Sequence, residues 1–180
     1  MQFARLVQPR YEIDGLVAVY YRPMSTSHPG VDRVTAALAT FDLQPEVRWL
    51  DDAATTARAA ADALGIDVGA IANSLVFTLG ERPVLVMTSG AHRVDTEWLG
   101  EQLGGQLGRA SASEVRAATG QAIGGVAPLG HPQSLDTWVD EKLADYPQLW
   151  AAAGHAHTVF PVTFTDLVRV TGGTVTAVTR

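Results

Sequence analysis

Apolar residues recur at helical spacing in VDRVTAALATF (31–41), where Val31, Val34, Leu38 and Phe41 share one stripe. That spacing predicts an amphipathic helix. The next apolar run, VRWL (47–50), is too short for a helix and reads as a strand. TTARAAADALG (55–65) reads as an Ala-rich helix closed by Gly65, a residue suited to the left-handed cap position. Two denser runs, SLVFTL (74–79) and PVLVMTS (83–89), predict buried strands joined by the turn Gly80-Glu81-Arg82. VDTEWLGEQLG (94–104) predicts a helix capped by Asp95 or Thr96. SASEVRAATG (111–120) predicts another, capped by Ser111 or Ser113 and stopped by Gly120.

LDTWVD (135–140) follows as a strand, and EKLADYPQLWAAAG (141–154) as one or two helical turns interrupted by Pro147. The chain closes with strand HTVFPVT (157–163), helix TDLVRVTG (165–172) and strand TVTAV (174–178). Helices and strands alternate over short connections, which predicts a mixed sheet with helices packed on it, in one α/β or α+β domain. Residues 1–23 stand apart, with the apolar run GLVAVYY and no obvious partner element. They read either as an extension ahead of a start at Met24 or as an added strand, leaving 24–180 as the domain.

Composition narrows the class. With 180 residues, 47% hydrophobic and 18% charged, the chain can bury a core and is not disordered. No apolar run approaches the roughly 20 residues that span a bilayer, and no signal-peptide pattern opens the chain, so a cytoplasmic protein is expected. With no cysteine, disulfides, thiolate metal sites and a cysteine nucleophile are excluded. A net charge of −6 excludes a protein that coats nucleic acid, so any such partner must meet a local patch. Lys142 is the only lysine.

Chemistry concentrates in TGQAIGGVAPLGHP (119–132), where Gly120, Gly124, Gly125, Pro128, Gly130 and Pro132 fall close together. Glycine permits close backbone approach and proline stiffens the path, so several amides can converge on one oxyanion. The same composition marks an ordinary surface loop. No Gly-Lys-Ser/Thr and no G-x-G-x-x-G pattern is present, which excludes P-loop and dinucleotide readings. His131 ends this segment, where an imidazole can orient a substrate or a water. His155 and His157 share one face of a strand, either as a metal pair or incidentally, with no third ligand apparent nearby. Asp136 and Asp140 bracket a strand near the loop and read as caps or surface charges.

Six stretches in order extend the picture: TARAAADALGI (56–66), VGAIANSLVF (68–77), VLVMTSGAHRVD (84–95), SEVRAATGQAIGGVAPLGHP (113–132), WVDEKL (138–143) and AAGHAHTVFPVTFTDLVRVTGG (152–173). Together they resemble the YbaK/ProX family of synthetase-associated editing domains, over about residues 31–178. The resemblance implies a single compact YbaK-like α/β (α+β mixed) domain, with a twisted mixed sheet or partial barrel flanked by helices and a pocket beside it. It implies hydrolysis in trans of the ester of mischarged tRNA, such as Cys-tRNA(Pro) or Ala-tRNA(Pro), with no cofactor and no metal. The implied partners are the acceptor end of tRNA and an aminoacyl-tRNA synthetase.

The resemblance maps the family's Gly-x-x-x-Pro motif onto Gly124 to Pro128. It implies catalytic roles for Gly124, Gly125, Asn73 and His131. Ser74, Ser89, Gly90, Val126, Ala127, Pro128 and Asp140 are then substrate-binding. On this acidic chain the grip on the acceptor end is expected from Arg58, Arg93 or Arg116, or else a synthetase delivers the tRNA. Gly125→Ala is expected to abolish turnover and leave the fold intact. The chain departs from the family at Asn73, which stands where the resemblance places an active-site lysine. Asparagine donates hydrogen bonds without a positive charge. That departure opens an alternative, a non-catalytic module that binds an aminoacyl group, tRNA or a synthetase. Hydrolysis of another small ester or amide is a third reading.

Overall fold

Each of the five described helices starts on a side chain that accepts a hydrogen bond from a first-turn amide. His28 caps α1 (Pro29–Ala39), Thr56 caps α2 (Ala57–Leu64) and Asp95 caps α3 (Thr96–Gln102). Ser111 opens α4 (Ala112–Thr119) through a capping box with Glu114, and Thr163 opens α5 (Phe164–Thr171). Such caps satisfy donors that a helix cannot pair internally. Gly65, Gly120 and Gly172 then end α2, α4 and α5 in the left-handed region. The computed structural model describes residues 28–180 and, before them, only the backbone of β1 (Glu12–Ile13) and β2 (Leu16–Val17), which pair antiparallel. The two readings of residues 1–23, and the boundary at Met24, lie outside the described residues.

The remaining strands are β3 (Arg48–Trp49), β4 (Ile71–Leu79), β5 (Arg82–Ser89), β6 (Leu107–Arg109), β7 (Asp136–Asp140), β8 (Leu149–Ala152), β9 (Thr158–Val162) and β10 (Thr174–Thr176). They form one eight-stranded mixed sheet in the order β10-β7-β5-β4-β8-β9-β3, with β6 also paired to β4. Period-two alternation sorts the side chains onto two faces. Ala72, Leu85, Met87 and Val139 face a core shared with Val34 and Leu38 of α1, Val115 of α4 and Leu167 and Val170 of α5. Phe77, Val84 and Val86 pack on the other face with Leu99 of α3, while Ile71, Trp150 and Val159 meet Ala60 and Ala61 of α2. The result is the expected mixed sheet with helices packed on it, here on both faces.

Most bounds shift by a few residues, as where the helix expected at 31–41 is Pro29–Ala39, and larger departures follow. The 141–154 segment holds no α-helix: a 3-10 turn covers Glu141–Asp145, and Leu149–Ala152 is a strand pairing with both β4 and β9. Its Leu-Trp-Ala-Ala composition suits a helix, but tertiary pairing and the packing of small buried side chains override that preference. The run 74–79 begins three residues earlier, at Ile71, because β8 pairs with Ile71 and Ala72. Arg82 belongs to β5 rather than to the turn, since it pairs with Leu79 across Gly80-Glu81. Leu107–Arg109 has no local strand signature and is set by pairing with Phe77–Leu79.

Candidate active site

The centre of β4 is paired on one edge only. β5 covers Ala72–Leu79 on one side. On the opposite side β8 takes Ile71–Ala72 and β6 takes Phe77–Leu79, and residues 73–76 between them have no strand partner among the described residues. The Gly90 amide donates to the Ile71 carbonyl, so odd-numbered residues of β4 turn their polar backbone groups toward β5. Ser74 and Val76 therefore turn an N–H and a C=O each into the gap.

A cavity of about 400 Å³ occupies this gap, within the roughly 300–1,000 Å³ of small-molecule sites. Asn73, Ser74 and Val76 form its back, Trp150 and Ala152 one side, Arg109 and Ala110 the other. The 122–127 segment closes it. Gly124 sits at φ 85° in a turn whose Gly125 amide donates to the Ala122 carbonyl at 3.0 Å. That is the turn position where a positive φ favours glycine.

The loop is held from both ends. The Gln121 side chain is buried, and its Oε1 accepts from the Ala127 amide at 2.7 Å. His131 Nε2 donates to the Ala127 carbonyl at 2.9 Å. Burial pushes the His131 imidazole below its ordinary pKa, and the bond to Ala127 partly opposes this. Two of the loop's amides, Gly125 and Ala127, are thus occupied, whereas Gly124 and Val126 line the cavity and their amides have no hydrogen-bond partner among the described residues. Unpaired amides held rigidly at a cavity wall can stabilise a developing oxyanion without reorganisation.

Of the residues implied by the resemblance, Asn73, Ser74, Gly124 and Val126 line the cavity, and Gly125, Ala127, Pro128 and His131 stand behind it as the loop's frame. Gly125 packs against neighbouring backbone: a Cβ there would lie 2.7 Å from the Ala156 nitrogen and the His155 carbonyl carbon. The expectation that Gly125→Ala leaves the fold intact is therefore corrected, because the backbone it meets cannot move aside cheaply.

Ser89, Gly90 and Asp140 form a separate cluster. The buried Asp140 Oδ2 accepts from the Ser89 amide at 3.0 Å and from His92 Nδ1 at 2.8 Å, and Oδ1 accepts from the Lys142 amide. Ser89 Oγ donates to the Gly69 carbonyl. This carboxylate ties the ends of β5 and β7 together. His155 and His157 lie in the turn ahead of β9 and not on one strand face as expected, and among the described residues no group of three possible metal ligands forms. Their rings stack at 5.4 Å, and His155 also meets His28 and Trp49. His157 Nδ1 is bonded to the Leu50 carbonyl.

A family model for the aminoacyl-tRNA editing domain matches residues 51–170. This chain belongs to that family. The editing domain is 26% identical to the uncharacterised protein YwhH of Bacillus subtilis strain 168 over 128 residues, 71% of this chain and 82% of the relative. It is 29% identical over 112 residues, 61% of this chain and 67% of the relative, to EbsC of Enterococcus faecalis strain ATCC 700802 / V583, named there as a candidate Cys-tRNA(Pro)/Cys-tRNA(Cys) deacylase. A solved structure described as a candidate trans-editing enzyme for prolyl-tRNA synthetase is 38% identical, with a TM-score of 0.81 over 86% of this chain and 99% of its own. Every residue lining the cavity of this editing domain falls inside the matched stretch.

The sequence reading missed Arg109, Thr55 and Trp150 as parts of the editing domain's cavity wall. Only Thr55 carries a usable signal, since it adjoins the cap of α2. The others are brought in by β6 and β8, whose pairings are non-local. Among the described residues no helix is long and apolar enough to cross a membrane.

Proposed function

We propose that this protein hydrolyses the ester of mischarged aminoacyl-tRNA in trans, with Cys-tRNA(Pro) or Ala-tRNA(Pro) as the substrate class. The observation that carries the reading is the cavity in the β4 gap, lined by Gly124 and Val126, whose amides have no hydrogen-bond partner among the described residues. The acyl carbonyl oxygen sits against these amides and becomes the oxyanion when water adds to the carbon. Collapse breaks the bond to the ribose oxygen, which leaves with a proton. Among the described residues the lining holds no carboxylate or imidazole, and a ribose hydroxyl of the substrate itself relays that proton. The backbone carbonyls of Ser74 and Val76 accept hydrogen bonds from the amino group of the ester, and Asn73 donates to the ribose. Seven alanines in the lining suit a small, uncharged aminoacyl group.

The test is release of amino acid from a panel of mischarged tRNAs. Hydrolysis of at least one small aminoacyl ester is expected, and no hydrolysis of any of them contradicts the reading. The neutral Asn73 favours one second reading, a module that binds the same ester or a synthetase without cleaving it. Asn73→Lys separates the two: recovered turnover in an inert wild type assigns the loss to this position. In an active wild type, unchanged turnover means that charge at this position is not limiting.

A further inference from the structure

The cavity wall is neutral except at one point. Arg109, the last residue of β6, is the only charged residue lining it among the described residues. The residue is exposed, and its side chain has no hydrogen-bond or ion-pair partner among the described residues. The arginine ion pairs there are Arg82–Asp136, Arg169–Asp166 and Arg180–Asp95. In a chain of net charge −6, this leaves a local positive site at the mouth of a neutral cavity.

The fold fixes where that charge stands. Arg109 pairs with Phe77, so it projects from the same face of the sheet as Asn73 and Leu75. Asn73 and Phe77 are four residues apart on β4, about 13 Å along the strand. Phe77 directly follows Val76 and lies three residues, about 10 Å, beyond Ser74, so Arg109 stands at the Val76 end of the gap, to one side of Ser74.

We propose that Arg109 binds the phosphodiester on the 5′ side of the 3′-terminal nucleoside. This rests on the reading of the cavity as an aminoacyl-ester site. An aminoacyl ester has no free carboxylate, because the carboxyl group is consumed in the ester bond. The nearest anion to the acyl carbon is then the phosphodiester one nucleoside away, which matches a cation set to one side of the acyl cavity. The planar guanidinium presents paired donors that fit phosphate oxygens. Arg109 is thus a binding residue for the nucleotide and takes no part in the bond changes.

The experiment compares two ester mimics with an amide in place of the ester, 3′-aminoacylamino-3′-deoxyadenosine with and without a 5′-phosphate. Calorimetry measures binding of each to the wild type, Arg109→Gln and Arg109→Lys. The wild type is expected to bind the phosphorylated ligand about tenfold more tightly. Arg109→Gln is expected to erase that preference and leave the affinity for the unphosphorylated ligand unchanged, while Arg109→Lys keeps part of it. With an active wild type, the slope of log KM against log salt for aminoacyl-tRNA should also fall by about 0.7 in Arg109→Gln. A wild type that binds both ligands equally, or an Arg109→Gln that keeps the preference, overturns the assignment and leaves the ester-site reading standing. Equal weakening of both ligands in Arg109→Gln also overturns it, as a structural role. A wild type that binds neither ligand overturns both.

Discussion

Ala127 lines no part of the cavity, yet its peptide decides the shape of the wall. Gln121 Oε1 holds its amide and His131 Nε2 its carbonyl, which fixes the path of Gly124 and Val126 between them. Gln121→Met keeps the volume and removes the acceptor, leaving a buried amide unpaired. The expected cost is about 1–3 kcal/mol in denaturant unfolding, with a fall in kcat exceeding any change in KM. Gly125→Ala drives a Cβ into the backbone of His155 and Ala156. It should cost roughly 1–3 kcal/mol, read as a lower Tm, so lost activity in this variant reports the fold as much as the chemistry.

His131 also sets a pH dependence. Its folded pKa is depressed by burial below the ordinary 6.5, so the unfolded chain takes up a proton first as pH falls. The stability from a neutral His131 is complete above about pH 6.5 and is lost as pH drops from there toward the folded value. His131→Gln should show a smaller loss of unfolding midpoint between pH 7 and pH 5 than the wild type. An equal loss would place the acid sensitivity elsewhere, with His155, which shifts in the same direction through burial and the neighbouring His28 and His157, as the next residue to vary. At this scale the sequence showed that glycine and proline were needed at 120–132. It did not show which amides stay free, since that depends on Gln121 and His131 folding back onto Ala127.

The elements with strong local signals were legible: all five described helices follow from periodicity within one segment, and Gly65, Gly120 and Gly172 close three of them. Ser111 illustrates this, since both halves of its capping box lie within four residues. Ser111→Ala should cost about 0.5–2 kcal/mol in unfolding free energy at unchanged m-value, with activity retained. The elements that build the cavity were the illegible ones. β6 has three residues and no alternation, and β8 has the composition of a helix. Each exists because β4 offers an edge, and a gap between two partners of one strand has no signature in any single segment. Asn73 looked like the residue before a strand for the same reason: it lies inside β4, where one edge is open to the cavity.

For the whole molecule, the resemblance placed the fold and the loop, while the three-dimensional arrangement divided the implied residues into two groups. Asn73, Ser74, Gly124 and Val126 share the cavity, whereas Ser89, Gly90 and Asp140 belong with His92 at the ends of β5 and β7. Sequence order could not separate them, because the two groups interleave along the chain, 73–74 and 124–126 in one and 89–90 and 140 in the other. On the proposed function, the acyl group binds in the β4 gap and nowhere near the Asp140 cluster. Amide NMR of the labelled protein titrated with 3′-aminoacylamino-3′-deoxyadenosine tests this most directly. The amides of Ser74, Val76, Gly124 and Val126 should shift together and saturably, with those of Ser89, His92 and Asp140 unmoved. Saturable shifts centred on Ser89, His92 and Asp140, with Gly124 and Val126 unchanged, would contradict it.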